Sequence, residues 1–96
     1  MIKILYLEDN KFDIELTQIK VKKAFADCKI DIVNTINNAI QLLKTNPDYD
    51  VAILDLNLPD GNGIDCLSYI RNNNLQIAVI ILTGSGNEES AIETLK

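Results

Sequence analysis

Short apolar runs alternate along the chain with stretches in which apolar side chains recur every three or four positions. The first run, Ile2–Leu7, is interrupted only by Lys3 and predicts a strand. Residues 12–26 predict a helix, with Leu16, Ile19, Val21, Ala24 and Phe25 forming a broad apolar surface. Residues 30–33 read as a short second strand. Ile36, Ala39, Ile40 and Leu43 then keep the i, i+3, i+4, i+7 spacing of a second helix. Asn46-Pro47-Asp48 ends it, because proline cannot extend the helical hydrogen-bond ladder. Residues 51–54 are apolar throughout, as in a strand buried on both faces. A loop by composition, Pro59-Asp60-Gly61-Asn62-Gly63, precedes a third helix marked by Ile64, Leu67 and Ile70 and closed by Asn72-Asn73-Asn74. The run from Ile77 to Leu82 is the most apolar strand, and Glu88, Ala91, Ile92 and Leu95 suggest a fourth helix. Glu88 and Glu89 suit the positive end of that helix's dipole.

The predicted order is βαβαβαβα. Such alternation implies a parallel sheet with right-handed crossovers and helices on both faces. Ligands of these sheets bind beyond the carboxyl ends of the strands, near a switch in strand order. With 96 residues, 47% of them hydrophobic, the chain suffices for one domain with a real core.

Charge and composition narrow the chemistry. A net charge of −5 and the lack of any long basic run argue against direct nucleic-acid contact. The densest basic cluster, Lys20, Lys22 and Lys23, reads as the solvated face of the first helix. There is no histidine, and Cys28 and Cys66 lack metal-type spacing, which argues against a zinc site and leaves two apolar thiols in a reducing compartment as the expectation. The amino terminus has too short an apolar stretch for a secretory leader, and no segment approaches the ~20 apolar residues of a membrane span. The expectation is a cytoplasmic protein.

The strand ends carry the reactive residues. Strand one ends in Glu8-Asp9, strand three in Asp55 with Asn57 two positions on, and strand four in Thr83-Gly84-Ser85. Each alone is also an ordinary turn or loop residue, but all fall at one edge of one sheet. In the strand order 2-1-3-4, three carboxylates would converge, and crowded like charges raise one another's pKa. A divalent cation resolves the conflict, and magnesium favours hard oxygen ligands in an octahedron that keeps several waters. Glu8, Asp9, Asp55 and a backbone carbonyl near Asn57 can supply the protein's share. Beside such an ion, an aspartate is either a ligand or a nucleophile toward phosphorus. As a nucleophile, Asp55 needs no general base, since a carboxylate is deprotonated at neutral pH. Thr83 and the backbone N–H groups of Gly84-Ser85-Gly86 can then bind phosphoryl oxygens.

These segments resemble the receiver domains of bacterial response regulators. Leu5-Tyr6-Leu7-Glu8-Asp9-Asn10 is similar to the family's acidic-pair opening. The segment from Val51 to Gly63 resembles the phosphoacceptor strand and its loop, with proline four residues and glycine eight residues after the aspartate. Ile81-Leu82-Thr83-Gly84 is similar to the switch-threonine strand end. The resemblance spans the whole chain and implies a flavodoxin-like α/β fold in a two-component phosphorelay. By that resemblance Asp55 accepts a phosphoryl group from a sensor histidine kinase or phosphotransfer protein. Asp9 ligates Mg2+ directly, Glu8 does so through water, Asn57 lends its backbone carbonyl, and Thr83 moves toward the phosphoryl group as a switch. The output surface would lie around the start of the fourth helix.

One departure is evident. Receivers usually carry a fifth strand ending in a lysine, then a fifth helix, and nothing before Lys96 matches them. The expectation is a receiver domain over residues 1–96 that is incomplete at its carboxyl end. The uncharged run from Ile77 to Leu82 would then be an unblunted edge strand, prone to self-association. Two other functions compete. A phosphohydrolase of the haloacid-dehalogenase type also uses an aspartate after an apolar strand with Mg2+. It wants a second aspartate two residues on as acid-base, where this chain has Asn57. A phosphorylation-independent interaction module with the receiver fold is the other, favoured by the missing lysine and opposed by the intact acidic set.

Overall fold

The computed structural model describes residues 1–82 and the backbone of 92–95. Four parallel strands form the body of the sheet: β1 (Ile2–Leu7), β2 (Cys28–Val33), β3 (Val51–Asp55) and, after a small β4–β5 hairpin (Asn57–Leu58 and Gly61–Asn62), β6 (Ala78–Leu82). They lie in the order β2-β1-β3-β6, the 2-1-3-4 order expected of a flavodoxin-like fold. Helices α1 (Lys11–Ala24), α2 (Ile36–Thr45) and α3 (Ile64–Asn72) make the crossovers.

Strand alternation sorts the core into two faces. Leu5, Leu7, Ala52, Leu54, Val79 and Ile81 point to one side, where Ala39 and Leu43 of α2 and Cys66 and Ile70 of α3 pack on them. Ile4, Tyr6 and Ile53 point to the other side, partly covered by Ile14 and Val21 of α1. The first face is the better sealed, and Leu43 is central to it at 1% exposure. Leu43→Ala is therefore expected to cost about 3 kcal/mol, read as a lower urea midpoint. For a domain of this size, that is a large part of a total of about 5–15 kcal/mol. On α1, by contrast, no side chain is fully buried, and Phe12, Leu16 and Ile19 stand exposed. Both cysteines are free thiols, Cys66 buried and Cys28 half-buried, as their apolar reading implied.

Helix starts follow local chemistry. Asn10 caps α1 by accepting from the Asp13 N–H at 3.0 Å, and Thr35 caps α2 by accepting from Asn38 at 3.1 Å. Lys22 and Lys23 fall in the last turn of α1, where the dipole favours cations. No described helix is long and apolar enough to cross a membrane.

The expected fourth helix needs correction. Glu88 and Ala91 lie outside the described residues, but Ile92–Leu95 is a strand, β7, antiparallel to β6 with Leu82 opposite Ile92 and Val79 opposite Leu95. The reason lies in β6 itself. Its outer edge presents a row of N–H and C=O groups that must be paired, and a four-residue segment gains more from that ladder than from a single helical turn. Of the edge between Ile77 and Leu82, expected to be open for self-association, the part from Val79 to Leu82 is thereby covered.

Candidate metal and phosphoryl site

Register brings the acidic residues level. Leu7 pairs with both Val33 and Leu54, and Asp55 pairs with Leu82, so β1, β2, β3 and β6 end along one line. Glu8 and Asp9 leave β1 beside the end of β3. Carboxylate oxygens of Glu8, Asp9 and Asp55 lie within 4.8 Å of one another. Asn57, two residues beyond Asp55, opens the β4–β5 hairpin opposite Asn62. Thr83 and the glycine loop after it lie outside the described residues.

Glu8 is the most constrained member, with only 4% of its surface exposed. The Tyr6 hydroxyl donates to its Oε1 at 3.4 Å, and the Asn10 N–H donates to its Oε2 at 3.3 Å. Its own N–H donates to the Val33 carbonyl at 2.9 Å, and its carbonyl accepts from the Asn34 side-chain amide at 2.8 Å. Burial pushes the Glu8 carboxyl up to about 7, with the negative charge of Asp55 adding to the effect. Asp55 is also raised, chiefly by burial, although hydrogen bonds from Glu8 and from the N–H groups of Asn57 and Leu56 pull the other way. Burial likewise holds the Tyr6 hydroxyl protonated as a donor.

No lysine or arginine pairs with these three carboxylates among the described residues. Three crowded oxygen donors without a counter-charge, two of them raised in pKa, are what a hard divalent cation would relieve. Asp9 is exposed and makes no side-chain hydrogen bond among the described residues, which leaves its oxygens free for a ligand.

Beneath the site, backbone passes unusually close to backbone. The Gly63 N–H donates to the Leu56 carbonyl at 3.0 Å, and a Cβ on Gly63 would sit 2.0 Å from the Asp55 carbonyl oxygen. Glycine is needed there for space, since its φ of −59° is open to any residue.

Two contributors escaped the sequence reading. By sequence Tyr6 has no role of its own in the site, yet it lies two residues before Glu8, so strand alternation alone puts both on one face. Asp60 was read only as part of a loop. Its carboxylate accepts from the Ile36 N–H at 2.9 Å and the Asn37 N–H at 3.0 Å, and those bonds hold it below the usual carboxylate range. No local signal announces a contact 24 residues away.

Known proteins carry the same organisation. Residues 4–96 match the family described as Response regulator receiver domain. The chain is 31% identical over 94 residues to the response regulator protein PilR of Pseudomonas aeruginosa, covering 98% of this chain and 20% of PilR. It is 34% identical over 95 residues to the transcriptional regulatory protein CusR of Escherichia coli, covering 98% of this chain and 40% of CusR. Thus it spans less than half the length of these relatives. Among solved structures, the MaeR response regulator bound to beryllium trifluoride aligns with a TM-score of 0.78 at 31% identity, over 92% of this chain and 70% of that one. The Mn2+-bound form of response regulator Rcp1 aligns with a TM-score of 0.78 at 33% identity, over 92% and 69% respectively. With the family matched over nearly the whole chain and the strand order in agreement, this protein belongs to the response regulator receiver domains.

Proposed function

We propose that this receiver accepts a phosphoryl group on Asp55 from a phosphohistidine of a sensor kinase or phosphotransfer protein. The observation that carries the reading is the convergence of Glu8, Asp9 and Asp55 within 4.8 Å at the carboxyl edge of the sheet. Asp9, exposed and uncommitted, is the direct metal ligand in this reading. Glu8 acts through water, because Tyr6 and Asn10 already hold its two oxygens. The Asn57 backbone carbonyl and Asp55 complete the protein's share. Mn2+ in the related Rcp1 supports a divalent ion here. Bound Mg2+ would offset charge on the transferring phosphoryl oxygens.

The chemistry at Asp55 is a substitution at phosphorus. A carboxylate oxygen attacks, the P–N bond of the donor breaks, the electron pair leaves with the imidazole, and an acyl phosphate remains on Asp55. The N–H groups of Leu56 and Asn57 hydrogen-bond the Asp55 carboxylate and favour its charged, nucleophilic form. Thr83 serves as the switch that reads the new phosphoryl oxygens. Signalling, rather than turnover of a substrate, is the function.

Incubation with acetyl phosphate and Mg2+ is expected to add the mass of one phosphoryl group to the intact protein. Asp55→Asn is expected to abolish that gain. No gain at any Mg2+ concentration would overturn the reading and favour a phosphorylation-independent interaction module. Sustained turnover of an aryl phosphate, lost in Asp55→Asn, would point instead to a hydrolase.

A further inference from the structure

Hydrogen bonds on either side of the start of α2 tie that segment to both strands of the acidic pocket. On one side, the Asn34 amide donates to the Glu8 carbonyl at 2.8 Å, just before α2 begins. On the other side, Asp60 sits in the turn between β4 and β5, the hairpin that starts at Asn57. Its two carboxylate oxygens take the first two N–H groups of α2, those of Ile36 and Asn37, at 2.9 and 3.0 Å. The helix has its own cap in Thr35, which takes the third N–H, that of Asn38. Asp60 therefore does more than start a helix. It joins the loop after Asp55 to the segment that holds Glu8.

We propose that Asp60 is a positioning residue for the metal and phosphoryl site, clamping the acceptor loop to the amino end of α2 and so fixing the Asn57 carbonyl against the Glu8-Asp9 pair. The inference rests on the reading of this pocket as a magnesium and phosphoryl site. Both Asp60 oxygens are taken by N–H groups of α2, and Asp60 is not one of the three clustered carboxylates. Its effect passes through backbone, as with groups that orient metal ligands from one bond away. Gly61 beside it, at φ +143°, adopts a conformation that side chains rarely take and lies against Ile36, so the turn is shaped for this contact.

The test uses the whole chain and three variants: Asp60→Ala, Asp60→Asn and Thr35→Ala. Calorimetry gives Mg2+ affinity, amide hydrogen exchange follows Ile36 and Asn37, and urea unfolding gives stability. Asp60→Ala is expected to weaken Mg2+ binding about tenfold, with faster exchange at both amides even without metal. Asp60→Asn, which keeps one acceptor oxygen, is expected to recover part of the affinity. Thr35→Ala removes the helix's own cap and is expected to lower stability while leaving Mg2+ affinity within about twofold. If Asp60→Ala binds Mg2+ as wild type does, or if Thr35→Ala loses as much affinity, the clamp is overturned and Asp60 is a helix cap alone. If wild type itself neither binds Mg2+ nor gains a phosphoryl group, the underlying reading fails and the inference falls with it.

Discussion

Gly63→Ala is expected to cost about 3 kcal/mol of stability and to abolish phosphoryl transfer to Asp55. The added Cβ would sit 2.0 Å from the Asp55 carbonyl oxygen and 3.0 Å from its carbonyl carbon. Both are backbone atoms at the end of β3, so no side chain can swing aside. Relief requires moving either the start of α3 or the end of the acceptor strand. Moving α3 breaks the Gly63 N–H bond to Leu56 and disturbs the packing of Cys66 and Ile70. Moving β3 displaces the acceptor itself. Gly63 is the N-cap of α3, where glycine is itself preferred to alanine by up to about 1 kcal/mol, so only a loss beyond that marks the steric effect. Urea unfolding together with acetyl-phosphate labelling checks both halves. A variant as stable as wild type would show that the two backbones have room to part.

Glu8→Gln is expected to do the opposite to stability, while still damaging the site. In wild type the folded-state pKa of Glu8 lies near 7, above its ordinary value of 4.5. Between those values the folded state holds more protons than the unfolded chain, so stability falls as pH rises from about 5 to about 7. The full shift corresponds to roughly 3 kcal/mol at pH 8. Glutamine cannot ionise, so the metal-free variant should be more stable than wild type at pH 8, with little difference at pH 4.5. Mg2+ should reverse the ranking. It binds only the folded state and relieves the carboxylate repulsion, stabilising wild type by RT ln(1 + [Mg2+]/Kd) and the variant far less. Affinity in the variant should fall at least tenfold, and wild-type affinity should itself rise with pH through about 7 as the proton leaves. Urea titrations at pH 5 to 8, with chelator and with Mg2+, measure all of this. A metal-free wild type whose stability is flat over that range would contradict the account.

Much of this was legible in the sequence, for identifiable reasons. Strand β1 is legible to the residue because Glu8 ends its apolar run, and β3 to within one residue, since the apolar run stops at Leu54 while the strand carries Asp55 as well. The second helix was bounded by Pro47, and the third by its asparagine run. Glu8, Asp9 and Asp55 come together once the strand order 2-1-3-4 makes the first and third strands neighbours, since parallel strands end at one edge. The misreading of Ile92–Leu95 has the same physical root. Its apolar positions fit a helical period, but a segment that short takes its conformation from its neighbour, here the edge of β6. The Asp60 clamp was beyond reach because it depends on how the hairpin meets α2 in space, and no periodicity encodes that.

The two cysteines give the fold an internal clock. Cys66 lies wholly inside the core between α3 and the acceptor strand, and burial pushes its thiol up to about 11. A thiol reagent reaches it only when α3 lifts from the sheet, and attack needs the thiolate besides. Cys28, at the start of β2, is half-buried and reports on the far side of the same sheet. Labelling the two in parallel therefore separates openings of the acceptor half from fraying elsewhere. The unmodified chain can thus time the motions of the half that carries Asp55.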